Sequence, residues 1–203
     1  MLPIFIRQNL EFKIYVIEQA GTTIFNRAKL FNAGYELAKA EYNWDCYTFH
    51  DVDLILENDK MLYRCDMQNP RHLSVAVSTF NYKLPYAGIF GGITQLTGAM
   101  FEAVNGYPND FWGWGGEDDV MYTRVMRFYK IKRPPKQLAR YKMYTHVHEK
   151  SNPKNPERVK MLNQENRNRT LQKINGLSDL EYKVLSRRVE NIFEIISVDV
   201  GQP

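Results

Sequence analysis

The chain has 203 residues, 44% of them hydrophobic and 13% aromatic, which is enough apolar material for one α/β domain with a core and too much for a disordered chain. Its 27 Lys and Arg against 23 Asp and Glu leave a net charge of +4 with no basic run long enough to track a nucleic acid; the slight excess is compatible with an anionic ligand without pointing to one. No stretch approaches the roughly 20 apolar residues of a membrane span. No signal peptide is visible, and Met1 leads straight into Leu2-Pro3-Ile4-Phe5-Ile6, which reads as interior sequence of a longer protein with its targeting signals upstream.

Residues 12 to 18, Phe-Lys-Ile-Tyr-Val-Ile-Glu, alternate and are rich in β-formers, which predicts a strand. Gly21 breaks the run. From about Ile24 to Glu41 apolar residues recur at helical spacing, with Leu30, Phe31, Gly34, Leu37 and Ala38 on one face. Cys46 to His50 reads as a short buried strand with Asp51-Val52-Asp53 at its carboxyl end. Strand, helix and strand in that order predict a βαβ-like unit and a parallel sheet. Ligands of open α/β sheets bind beyond the carboxyl ends of strands, where the acidic triplet falls. Between Asn69 and Gly106 the text is loop and strand, with a strand over Ser74 to Ser78 and glycines at 91, 92 and 106 as punctuation. A helix follows Gly116, with Val120, Met121, Val125 and Phe128 on one side. Residues 144 to 170 are polar and read as a long, mobile loop passing into a polar helix; loops of that length are usually functional or disordered. Ile192 to Val200 closes with a strand. Neither an internal repeat nor a linker is visible, so residues 1–203 are expected to form a single domain.

Asp51-Val52-Asp53 is an Asp-X-Asp triplet. At a strand end, carboxylates at i and i+2 point the same way and can converge on one hard cation that holds a diphosphate. Alone the triplet is weak, because a solvated turn accounts for it equally well. Trp112-Gly113-Trp114-Gly115-Gly116-Glu117-Asp118-Asp119 is far less ordinary. Its glycines let the backbone bend and approach a ligand, its tryptophans offer flat faces of the kind that stack on sugar rings, and its three acids stand where a helix starts. First turns favour acids anyway, but that does not explain two tryptophans among glycines. Met143 and His146, with His148 nearby, make an unusual pair for a metal, because a thioether is soft. Cys46 and Cys65 are too few for a zinc site, and spacing leaves free thiols and a disulfide equally open. Asn168-Arg169-Thr170 is a formal glycosylation sequon, a triplet that carries little weight alone.

Phe25-Asn26-Arg27-Ala28-Lys29-Leu30, Asp51-Val52-Asp53-Leu54, Phe90-Gly91-Gly92, the Trp112 to Asp119 block and Met143-X-X-His146 follow one another in the order and approximate spacing of the β1,4-galactosyltransferases, and the chain resembles that family from about Gln8 to Gly201. The resemblance implies an α/β fold of the GT-A nucleotide-sugar transferase type, a mixed central sheet flanked by helices. It implies an inverting, Mn²⁺-dependent transferase that moves a sugar from a UDP-sugar to the 4-hydroxyl of a terminal N-acetylglucosamine or related sugar on a glycoconjugate, in the Golgi lumen, on a type II membrane protein whose anchor lies upstream. Asp53, Met143 and His146 would ligate Mn²⁺. Phe25, Arg27, Asp51, Val52, Asp53, Ile89 and Trp114 would line the donor site, with Trp114 on a small loop that closes over the donor. Asp118 would be the base that deprotonates the acceptor hydroxyl, with Glu117 beside it in the catalytic centre. Tyr86, Gly115, Gly116, Asp118, Asp119, Arg158, Val159 and Leu162 would bind the acceptor, with Tyr86 stacked on its ring. The long loop from 144 to 165 would order once the donor binds. Cys46 and Cys65 would form a disulfide, which implies an oxidising secretory compartment.

The chain departs from the family pattern in three places. The usual amino-terminal region, with a strand and a segment that helps bind uridine, is missing. Val159 replaces a bulkier aromatic of the acceptor's N-acetyl pocket, so acceptor preference is expected to be looser. Ile89 stands where vertebrate members have Tyr, beside the 2-substituent of the donor sugar. A branched aliphatic leaves room for an acetamide, so UDP-N-acetylgalactosamine is expected to serve at least as well as UDP-galactose. Two readings of other classes compete: a metal-dependent hydrolase using Asp51, Asp53, His146 and His148, for which four histidines are thin, and a non-catalytic glycan-binding module.

Overall fold

The computed structural model describes residues 1–145 and 152–203. Its elements in chain order are α1 (Leu2–Arg7), β1 (Ile14–Gln19), α2 (Arg27–Glu41), β2 (Tyr47–His50), β3 (Leu54–Leu56), β4 (Arg71–His72), β5 (Ala76–Val77), β6 (Ile93–Leu96), α3 (Gly98–Ala103), α4 (Glu117–Met126), β7 (Arg140–Met143), α5 (Arg158–Arg167), α6 (Leu171–Ile174), β8 (Lys183–Glu190) and β9 (Phe193–Asp199). The predicted strands near 12–18, 46–50 and 192–200 are present, as are the helices near 24–41 and after Gly116.

The sheet is mixed and comes as three hydrogen-bonded pieces, ordered β1-β9-β8, β2-β6-β4 and β3-β7-β5. β9 runs parallel to β1 and antiparallel to β8. β6 is antiparallel to both β2 and β4. β7 is antiparallel to β3 and parallel to β5. The expected parallel βαβ unit is therefore wrong: β1 and β2 are not neighbours. Sequence order suggested the pairing, but β1 pairs with β9 and β2 with β6, both far along the chain.

Other boundaries shift for local reasons. α2 begins at Arg27 rather than Ile24, because Asn26 caps it by accepting from Lys29 N at 2.9 Å. The strand over Ser74–Ser78 shrinks to Ala76–Val77, and Ser78 opens a 3₁₀ turn. Val120, Met121 and Val125 are fully buried on one face of α4, but Phe128 lies past its end and is exposed.

Three apolar clusters form the core. One packs α2, α3 and α4 around Tyr35, Phe49, Phe101 and Tyr107. A second fills the space around β3, β5 and β7, and a third lies between α2 and β9. Cys46 and Cys65 form a disulfide across a Cα–Cα distance of 5.5 Å and tie the entry of β2 to the segment before β4. Among the described residues, no helix is long and apolar enough to cross a membrane.

Candidate active site

The acidic triplet is not in a strand. Asp51, Val52 and Asp53 make the turn between β2 and β3, so the i, i+2 geometry of a strand does not set their directions. Asp51 N donates to Gly92 O at 3.0 Å, which fixes the turn against the start of β6, and Val52 projects into solvent at its tip. Arg27, the first residue of α2, reaches into this turn. Its Nε donates to Asp51 Oδ1 at 3.0 Å, Nη2 bonds the same oxygen, and Nη1 donates to Glu117 Oε1 at 3.2 Å. One guanidinium thus joins the start of α2, the end of β2 and the start of α4. Burial opposes its charge, but Asp51 and Glu117 more than offset that and hold its pKa above the usual arginine range. Glu117 is buried, and its Oε2 has no hydrogen-bond partner among the described residues.

Asp118 follows on the first turn of α4. Burial, and after it the neighbouring Glu117 carboxylate, push its carboxyl up to about 7, while Arg27 pulls the other way. Asp119 N donates to Asp118 Oδ1 at 3.0 Å. Gly91 presses against the carboxyl from behind; a Cβ there would overlap Asp118 Oδ2. This close approach, rather than any turn, is why the position suits glycine. Tyr86, half exposed, donates from its hydroxyl to Asp119 Oδ1 at 2.8 Å.

The tryptophan–glycine block bends as its composition suggests: Gly113, Gly115 and Gly116 have φ of 78°, 102° and 101°. Gly113 N donates to Phe25 O at 2.7 Å, which places Phe25 beside the block. Trp114 exposes 56% of its surface, while its backbone N donates to Pro153 O at 2.8 Å and its O accepts from Asn155 N at 3.0 Å. Arg158, at the start of α5, packs over Gly115 and Gly116 and donates from Nη1 to Asn155 O at 3.0 Å. Val159 is exposed and Leu162 is half-buried on the same helix.

Met143 and Asp53 come together across the β3–β7 ladder: Leu54 pairs with Met143, and Tyr144 N donates to Asp53 O at 2.9 Å. The Met143 sulfur accepts from Thr79 Oγ1 at 3.3 Å. His146 and His148 lie outside the described residues. Among the described residues no three of His, Cys, Asp and Glu gather as a metal cluster. Asp53 and Met143 sit at one ladder end; the carboxylate suits a hard divalent cation, whereas the thioether is the soft, atypical member of the set.

Ile89 is half-buried, and its carbonyl accepts from Arg133 Nη2 at 2.8 Å. Sequence reasoning did not find Arg133, or the fully buried His72 to which it is bonded. It also missed the ion pair between Arg124 Nε and Glu165 Oε1 at 2.8 Å that joins α4 to α5. An arginine in a helical pattern gives no sign of burial, and only its place on the apolar side of α4 hinted at it.

Two solved structures share this fold over the whole chain. The catalytic domain of Drosophila β1,4-galactosyltransferase 7 in complex with xylobiose superimposes with a TM-score of 0.77 at 25% identity, covering 100% of this chain and 86% of that one. A mutant of the same enzyme in complex with manganese, UDP-Gal and xylobiose gives 0.78 over the same shares. The fold is the GT-A fold of glycosyltransferase catalytic domains. Residues 1–66 match the family described as the N-terminal region of glycosyl transferase group 7, and residues 71–147 match that described as the N-terminal domain of galactosyltransferase. The bovine β-1,4-galactosyltransferase 3 is 45% identical over 98% of this chain and 50% of its own length, and the human β-1,4-galactosyltransferase 2 is 43% identical over 99% and 54%. The chain belongs to the β1,4-galactosyltransferase family. It spans about half the length of the curated relatives it matches.

Proposed function

We propose that residues 1–203 form one catalytic domain of an inverting, Mn²⁺-dependent β1,4-glycosyltransferase. It moves N-acetylgalactosamine or galactose from a UDP-sugar to the 4-hydroxyl of a terminal N-acetylglucosamine or related sugar on a glycoconjugate. The observation that carries this reading is the Arg27 junction, which draws the Asp51–Asp53 turn and the acidic start of α4 together beside Asp118, whose carboxyl burial and Glu117 raise to about 7 against the pull of Arg27. A solved relative holds manganese, UDP-Gal and xylobiose together, which supports a metal, a UDP-sugar and a sugar acceptor meeting here.

Asp53, Met143 and His146 would hold Mn²⁺, which when bound offsets charge on the leaving diphosphate. Phe25, Arg27, Asp51 and Val52 border the nucleotide, Ile89 borders the 2-substituent of the donor sugar, and Trp114 covers it. Tyr86, Gly115, Gly116, Asp119, Arg158, Val159 and Leu162 present the acceptor. Asp118 takes the proton of the acceptor hydroxyl as its oxygen bonds the anomeric carbon and the bond to the diphosphate breaks. Glu117 beside it disfavours further negative charge and keeps the carboxyl basic. A single displacement inverts an α donor to a β product. Holding both sugars in line supplies much of the rate. The disulfide supports an oxidising lumen, which this reading takes to be the Golgi, with the chain part of a type II membrane protein.

The test is incubation with Mn²⁺, UDP-galactose or UDP-N-acetylgalactosamine and an N-acetylglucosamine-terminated acceptor, with the product linkage read by NMR. A β1,4-linked product that disappears in EDTA is expected. Free sugar without transfer would indicate a hydrolase, and glycan binding without turnover a binding module.

A further inference from the structure

The segment from Tyr86 to Gly91 carries three groups of the proposed site, yet it belongs to no strand. Side chains hold it instead. Arg133 Nη2 donates to Ala87 O and to Ile89 O, both at 2.8 Å. Arg133 Nε donates to His72 Nδ1 at 3.2 Å. His72 Nε2 lies 2.9 Å from Gly91 O, which also accepts from Ser74 Oγ at 3.0 Å. The arginine bond leaves Nδ1 as the acceptor, so Nε2 carries the proton and donates to Gly91 O. Burial, and then the Arg133 charge, hold this imidazole neutral, with its pKa down to about 4. Three carbonyls in five residues are thus set by one arginine and one fully buried histidine.

We propose that Arg133 and His72 are positioning residues for sugar transfer: they set Gly91 behind the Asp118 carboxyl and Ile89 at the donor pocket. The proposal rests on the transferase reading above. Lysine at 133 keeps the charge but loses the planar fork, so it cannot serve both carbonyls and His72 at once. Arg133→Lys should lower kcat about 10- to 100-fold, the scale expected of a small misplacement at a reacting centre. It should also change the ratio of UDP-N-acetylgalactosamine to UDP-galactose use, with UDP affinity unchanged by calorimetry. His72→Gln, which keeps a donor for Gly91 O, should retain more kcat than His72→Ala, and it carries the comparison if Arg133→Lys does not fold. Variants that melt earlier but transfer with wild-type kcat and donor ratio overturn the proposal and leave a structural role only. A wild type that transfers no sugar overturns the transferase reading and this proposal with it.

An independent observation concerns Asn168. Asn168-Arg169-Thr170 is the only Asn-X-Ser/Thr triplet in the sequence. Asn168 is exposed where α5 ends, and its Oδ1 accepts from Thr170 N at 3.0 Å. The Cys46–Cys65 disulfide puts the chain in the oxidising compartment where such triplets are modified. The structure assigns Asn168 as an N-glycosylation site. Its amide nitrogen bonds the anomeric carbon of a membrane polyprenyl-diphosphate oligosaccharide, loses a proton, and the lipid diphosphate leaves. α5 separates this site from Arg158 by about 15 Å of helix, so the glycan stands clear of the acceptor side. Secretion from eukaryotic cells should give a protein whose mass falls on peptide-N-glycosidase treatment, a fall lost in Asn168→Gln and kept in Thr170→Ser. A secreted, disulfide-bonded protein with unmodified Asn168 overturns the assignment.

Discussion

The wall of the site built on α4 and the wall built on α5 are held by different physics. On the α4 side, Glu117 shares Arg27 with Asp51, Gly91 presses on Asp118, and Tyr86 bonds Asp119. Charge and close backbone contact fix it from three directions. On the α5 side, Trp114 makes backbone bonds to Pro153 and Asn155, and Arg124 and Arg127 both hold Glu165 of the helix. The first wall is set before any ligand arrives, and in the proposed mechanism it carries the base. The second is tied to α4 through Glu165, so in the proposed site its acceptor contacts can change without disturbing the proposed base.

The largest effect should come from the α4 wall. Asp118→Asn should lower kcat about 10²- to 10⁴-fold, the range for loss of a general base. The wild-type rate should rise with pH through about 7. The same carboxyl has a folded pKa above its unfolded value near 4, so its contribution to stability is full below about pH 4 and is lost as pH rises through 7. Asp118→Asn should therefore stabilise the protein by about 4 kcal/mol in urea melts at pH 8 and by little at pH 4. Equal stability at both pH values would show that the carboxyl is not raised.

On the α5 wall, Glu165→Ala leaves the Arg124 guanidinium buried and unpaired, at a cost of about 3–5 kcal/mol. Arg124→Met in the same chain should recover part of it. Denaturation midpoints check this, and the acceptor KM should rise in the single variant while UDP affinity holds. Away from both walls, Cys46→Ser should cost roughly 3 kcal/mol by loss of the loop constraint, and unreduced, denatured wild type should label no thiols. The smallest effect is expected at the proposed donor pocket, where Ile89→Tyr should turn the donor ratio toward galactose by roughly 10- to 200-fold. A wild type that already rejects N-acetylgalactosamine would make Ile89 mere packing.

The elements legible in the sequence were those with a clean period. α2, α4 and β9 each bury one face, and Tyr15 and Ile17 of β1 pack against the core, so their apolar residues repeat at the right spacing. β8 was not legible because most of its length is exposed, and Lys183 to Glu190 reads as polar text. α1 and α3 have six residues each, too few to establish a repeat. In the site, the Trp112–Asp119 block declared itself by composition. The Arg27 junction and the Arg133–His72 pair did not, because both depend on residues brought together from distant elements. The ladder that sets Asp53 beside Met143 was hidden for the same reason: it joins segments nearly ninety positions apart.

β9 is the middle strand of its sheet, with Ile14 paired to Phe193 on one side and β8 on the other. That register has a consequence for synthesis. β1 emerges well before its partner, which is translated about 180 residues later. Until then β1 has no ladder to join and its edge is available to other chains. Closing so long a loop is slow, and the waiting chain is exposed to aggregation and dependent on chaperones. A ribosome stopped before Phe193 would leave a product with the proposed catalytic residues in place and β1 still unpaired.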